Sequence, residues 1–141
     1  MPSYLLPVEA HELAALHARF GPTPHEQVTL TVDSPFLDGE GQLLTTRNRR
    51  AEICYIMHRG NPREAVLLHR KTYYPANAWR LPTGGIERGE SVLDTLGREI
   101  EEETSFQIEK GPNPVRIEAF LGVLSYEMFH QTEQRTHTFA T

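Results

Sequence analysis

The 141-residue chain has one cysteine, Cys54, which excludes an internal disulfide. Cys54 lies inside the apolar run Ile53-Cys54-Tyr55-Ile56-Met57, a setting that predicts a buried strand thiol rather than a nucleophile. No apolar run approaches the roughly 18 residues that a bilayer-spanning helix needs. The N-terminal stretch also lacks the basic start and unbroken apolar core of a secretory signal, so a cytoplasmic protein with no membrane partner is expected. Basic charge is in short supply: 14 lysines and arginines face 19 acidic side chains, for a formal charge of −5. That balance suits a nucleic-acid backbone poorly, and no nucleic-acid partner is expected. An anionic substrate would need positive charge supplied locally, and a metal ion would supply it.

Repeats, low-complexity segments and long linkers are also missing, so the length predicts one domain over residues 1–141, with residues 1–25 as an N-terminal helical extension. Residues 11–20 place Leu13, Leu16 and Phe20 at helical spacing, ended by Gly21-Pro22. Residues 27–33 alternate Val28, Leu30 and Val32 with polar neighbours, as a half-buried strand does. A turn is predicted at 38–42, with a return strand beginning at Leu43-Leu44. Strands are predicted at 51–58 and 65–71 around a turn at 59–62, then from 115 to about 125, and at 136–140. Strands, then a loop and helix, then strands again predict a mixed α/β (α+β) fold without regular alternation.

One stretch stands out. Residues 84–106, GGIERGESVLDTLGREIEEETSF, hold six glutamates and an aspartate against two arginines. Ser91 and Asp94 have the spacing of a capping box, so a helix starts there. Val92, Leu93, Leu96 and Ile100 would pin it to a sheet, while Glu99, Glu102 and Glu103, three and four residues apart, share a second face. Glu101 points elsewhere. Like charges at this spacing repel, and they occupy the last turn, where the helix dipole disfavours them. A solvated face explains such a helix taken alone. A hard divalent cation among the carboxylates would remove both penalties, and Mg²⁺ suits a few carboxylates plus phosphate oxygens.

The spacing Gly84, Glu90, then Arg98-Glu99-Ile100-x-Glu102-Glu103-x-Ser105-Phe106 resembles the Nudix box, GX5EX7REUXEEXGU, with Ser105 in place of the final glycine. Its six charged or glycine positions would coincide by chance about once in ten million windows at average composition. The Trp79-x-Leu81-Pro82 lead-in is similar to the family's as well. The resemblance implies a Nudix fold, a mixed sheet between helices with a loop–helix–loop box. It implies hydrolysis of the pyrophosphate linkage in a nucleoside diphosphate joined to another group, with Mg²⁺ or Mn²⁺. Glu99, Glu102 and Glu103 match the metal-binding glutamates, and Glu90 the supporting first glutamate. Arg98 matches the arginine that orients the carboxylates, with Glu90 or Glu99 as its expected partner. Gly84 is expected to allow a close loop approach, with Gly85 beside it. Glu102 or Glu103 is the expected general base, with Glu118 and Glu127 as weaker candidates.

Tyr73, Tyr74 and Trp79 precede the box and are candidates to stack on a base, Tyr74 and Trp79 foremost. Arg47, Arg49, Arg50 and Lys71 are candidates to face a diphosphate, against the alternative of a solvated basic patch. Ser105 must adopt a left-handed backbone at a cost on the order of 1 kcal/mol. After Phe106 only 35 residues follow, fewer than the family's further strands and closing helix require. Truncation relative to the family, packing supplied by the N-terminal segment, and a homodimer that covers an open sheet edge are the alternatives. The rival reading is a catalytically weak, Nudix-like nucleotide-binding or regulatory domain. The complete set of box glutamates argues against it.

Overall fold

Gly21 ends the first helix as its Gly-Pro sequence predicts: at φ +92° its N–H bonds back to the carbonyl of His17 at 2.8 Å. This helix, α1, covers Ala10–Phe20, with Leu16 buried and Leu13 against the core. It opens the computed structural model, which describes residues 10–32, 49–61, 64–131 and 134–141. The expected turn at 38–42, the strand at Leu43-Leu44, and Arg47 lie outside the described residues.

Strand β1, His25–Val32, pairs in parallel along its length with β8, Val123–His130, and β8 pairs antiparallel with β9, Arg135–Ala140. A second pair joins β2, Arg49–Cys54, antiparallel to β5, Thr83–Glu87. Two short pairs complete the sheets among the described residues: β3, His58–Arg59, with β4, Ala65–Val66, and β6, Gln107–Ile108, with β7, Pro114–Val115. Helix α2, Val92–Thr104, lies after β5. Mixed sheets with two helices among the described residues make this an α/β fold. Neither helix is long and apolar enough to cross a membrane.

Three predicted strands are shorter than expected. The 51–58 stretch leaves its ladder after Cys54, because Tyr55 donates to the carbonyl of Pro82 at 3.1 Å and proline has no N–H to return. The 65–71 stretch pairs only at Ala65–Val66, then touches Arg80 through an isolated bridge at His69. The 115–125 stretch is two strands, broken before Gly122, whose φ of +134° turns the chain into β8.

Ala51, Ile53 and Tyr55 of the β2 segment meet Ile86 of β5, Ile100 of α2, Val123 of β8 and Ala140 of β9 in one core. With side chains alternating along β2, Cys54 falls on the opposite face from Ile53 and Tyr55 and is exposed. The expectation of a buried thiol is therefore corrected: the apolar run looked two-sided, but only every second residue enters the core. Helix α2 is pinned by Val92, Leu96 and Ile100; Leu93 is only half-buried, and Thr95 is fully buried in its stead. Truncating Ile100 to alanine would cost about 2–5 kcal/mol, as for buried isoleucines generally.

Candidate active site

The acidic helix starts where the sequence says it should. Ser91 takes an extended backbone, its Oγ accepts from the N–H of Asp94 at 3.0 Å, and Asp94 Oδ2 accepts from the N–H of Ser91 at 3.4 Å. Both halves of the capping box are made, which satisfies two backbone N–H groups at the start of the helix. At the other end Ser105 adopts φ 63°, ψ 10°, the left-handed conformation expected of a glycine there, and its N–H bonds to the carbonyl of Glu101 at 2.9 Å.

Arg98 is the hub. Its Nε and Nη2 grip Glu90 in a fork, at 2.7 and 3.0 Å, and Nη2 also donates to the carbonyl of Gly85 at 3.0 Å. Nη1 donates to Glu99 at 2.7 Å and reaches Glu102 at 3.4 Å. Sequence reasoning offered Glu90 or Glu99 as the partner; Arg98 takes both, because its planar fork presents five donors. Glu90 also accepts from Thr95 Oγ1 at 2.8 Å and from the N–H of Glu87 at 3.2 Å. The Arg98 hydrogen bonds lead in holding its pKa down, to about 2, with those from Thr95 and Glu87 assisting. Glu99 moves the other way. Burial raises its pKa, and pairing with Arg98 offsets only part of that. Glu102 remains the most open of the group, with its side chain 58% exposed.

Glu103 stands apart from this hub. Its Oε2 accepts from the Tyr55 hydroxyl at 2.6 Å, while Oε1 lies 3.8 Å from His69 Nδ1. Burial first, and the bond to Glu103 second, push the Tyr55 phenol above its ordinary pKa, so it stays a donor. Neither Tyr55 nor His69 was singled out from the sequence. Tyr55 carried one usable signal, its place two residues after Ile53 on the core side of the strand. His69 carried none, because the bridge to Arg80 that places it is not local.

Gly84 and Gly85 belong to β5, opposite Ile53 and Glu52, rather than to a loop. Gly84 does not use a left-handed backbone. Its role is space: a methyl group there would run into the Glu99 side chain, and one on Gly85 would run into the guanidinium of Arg49. Arg50 is corrected outright as a diphosphate-facing residue, since it is buried and its Nη2 is spent on Glu12 at 2.8 Å and on the carbonyl of Glu90 at 2.7 Å. Arg49 lies over Gly85, and Lys71 lies 5.9 Å from the Tyr73 ring. Trp79 and Tyr73 are exposed, while Tyr74 is half-buried, packs edge-on to Tyr73 and accepts from Arg80 at 3.2 Å. Glu118 is tied to His58 at 2.8 Å and Arg116 at 3.3 Å, and Glu127 sits on β8.

Among the described residues no three ligand-type side chains converge as a ready metal cage. Arg98 serves as counter-ion to Glu90, Glu99 and Glu102, and Tyr55 holds Glu103. Crowding is thus tolerated without an added cation. The donor chemistry nonetheless fits a hard divalent ion: the side chains are carboxylates, Glu102 is open, and Glu99 packs closely over Gly84.

Comparison with known proteins agrees with the box. Residues 47–140 match the model of the NUDIX domain. Over 68 residues the chain is 34% identical to an RNA pyrophosphohydrolase of Pelagibacter ubique (strain HTCC1062). That match covers 48% of this chain and 40% of the relative, so the chain spans well under half of the relative's length. No solved structure matches the chain significantly.

Proposed function

This chain belongs to the Nudix family, and from that premise we propose that it hydrolyses the pyrophosphate linkage of a nucleoside diphosphate joined to another group. Glu99, Glu102 and Glu103 would hold Mg²⁺, or Mn²⁺ in its place. Held there, such an ion would supply neutralisation of phosphate charge and polarisation of phosphorus toward water. The observation that carries the proposal is the Arg98 hub, which binds Glu90 through two bonds while aiming Glu99 and Glu102 from one guanidinium.

The chain's own residues divide the work. Glu90 anchors Arg98 and stays ionised, because its low pKa keeps it an acceptor throughout the physiological range. Arg98 fixes the rotamer of Glu99. Glu103, outside the hub and with one oxygen beyond reach of Tyr55, is the better placed general base; Glu102 is the alternative. Tyr74 and Trp79 supply aromatic surface for a base, and the segment that carries them adjoins the box through His69 and Arg80, whose Nη2 lies 3.4 Å from Thr83 Oγ1. We place the reaction in the cytoplasm, in line with the single free thiol.

The test is a Mg²⁺-supplemented screen of (deoxy)nucleoside triphosphates, ADP-ribose, dinucleoside polyphosphates, nucleotide sugars, NADH and RNA with a 5′-triphosphate. The last is included because of the relative's name, and the net charge of −5 argues for small nucleotides over RNA. Metal-dependent release of phosphate, pyrophosphate or a nucleoside monophosphate is expected for at least one compound. Metal binding without turnover on any of them would replace the hydrolase with a nucleotide-binding domain.

A further inference from the structure

Glu12 belongs to α1, outside the matched segment 47–140, yet its carboxylate lies against the start of the acidic helix. Oε1 accepts from Arg50 Nη2 at 2.8 Å and from the backbone N–H of Val92 at 2.8 Å. Val92 is the first residue of α2, so Glu12 satisfies an N–H that the helix cannot satisfy itself and sets a negative charge at the positive end of its dipole. The same Arg50 nitrogen donates to the carbonyl of Glu90 at 2.7 Å. Both side chains are nearly closed to solvent, 14% exposed for Glu12 and 10% for Arg50.

We propose that Glu12 is a positioning residue for the carboxylate site: through Arg50 and the Val92 N–H it holds the 90–92 corner, and through Glu90 the arginine hub, in register. The inference rests on the proposed metal-dependent hydrolase. The corner carries two loads. Its backbone seats the capping box of α2, and the side chain of Glu90 grips Arg98. Without Glu12, Arg50 keeps its charge in a closed site with only a carbonyl to answer it, a strongly unfavourable state. The corner is then free to rotate. Glu90 moves with it, and Arg98 no longer presents Glu99 and Glu102 in a fixed geometry. Ligand-orienting partners of this kind typically change metal affinity by about 10- to 100-fold when removed.

The probe is Mn²⁺ alone, titrated into the 141-residue chain and read by electron paramagnetic resonance, beside kcat and KM for the best substrate from the screen. Glu12→Ala and Arg50→Ala are each expected to weaken Mn²⁺ binding about tenfold, with kcat lowered more than KM is raised. Combined, they should cost no more than either alone. Glu12→Gln guards against loss of fold, since its amide oxygen still accepts from Val92 and Arg50; a severalfold weaker Mn²⁺ affinity is expected. Melting temperatures that fall while Mn²⁺ affinity and kcat stay within twofold of the parent would overturn the proposal and leave Glu12 a stabilising contact. If Glu103→Gln and Glu99→Gln also leave Mn²⁺ binding unchanged, or the parent binds none, the metal-site assignment itself fails. That outcome is distinct from Glu12 alone being silent.

Discussion

The two ends of helix α2 are built on opposite principles. At the N-terminal end nearly every polar group has a partner: Ser91 and Asp94 cap each other, Glu12 takes the Val92 N–H, and Glu90 accepts from Arg98, Thr95 and Glu87. At the C-terminal end three consecutive glutamates, Glu101 to Glu103, crowd into a last turn with no basic residue, and a serine is held in left-handed backbone. The dipole welcomes negative charge at the first end and resists it at the second. Partners at the entrance act with the dipole, whereas at the exit Glu101, Glu102 and Glu103 meet theirs, Gln107, Arg98 and Tyr55, against it. The difference teaches that the exit carries negative charge which the helix dipole opposes, at some loss to the fold.

That contrast can be broken most sharply at Glu103. Glu103→Gln is expected to lower turnover by about 100-fold or more, while the thermal midpoint holds or rises because like-charge repulsion falls; retention of full turnover would remove the base assignment. At the entrance the expectation reverses. Glu90 has a folded pKa of about 2 against an ordinary 4.5, so its contribution to stability is complete above 4.5 and is lost as pH falls from there toward 2. Urea midpoints followed down through that window should drop more steeply in the parent than in Glu90→Gln, and parallel curves would show that the fork with Arg98 contributes little.

Smaller effects sharpen the comparison. Ser91→Ala removes one half of the capping box and should cost about 1 kcal/mol, with kcat per folded molecule unchanged; a large kcat loss would tie the cap to catalysis. Ser105→Gly relieves the left-handed serine and should gain about 0.5–1 kcal/mol, the entropy of glycine opposing part of the relief. A loss on chemical denaturation would mean that the serine hydroxyl, not its backbone, matters there.

Helix α2 was legible in advance because its determinants are local. Cap, apolar stripe and carboxylate spacing all fall within fifteen residues of one another, and each is a matter of helical geometry. Arg98 was legible through the resemblance to the Nudix box, which offered Glu90 or Glu99 as its partner; its bonds to Glu102 and to the carbonyl of Gly85 were not foreseen. What escaped depends on residues far away in sequence. Glu12 meets Arg50 across 38 positions and Val92 across 80, and no periodicity announces either contact. Tyr55 reaches Glu103 across 48. The short strands failed for a related reason: hydrophobic alternation predicts where a strand is able to run, whereas Pro82 and Gly122 decide where its ladder stops. Gly84 was singled out in advance, but the sequence shows a missing side chain without showing which neighbour fills the space, here the side chain of Glu99.

The parallel pairing of β1 with β8 has a consequence in time. His25 faces Val123, 98 residues further along the chain. At a synthesis rate of about 5–20 residues per second, β1 leaves the ribosome roughly 5–20 s before its neighbour exists. A nascent chain therefore carries an unpaired strand throughout that interval, a period in which escort by a chaperone would have its greatest effect on yield.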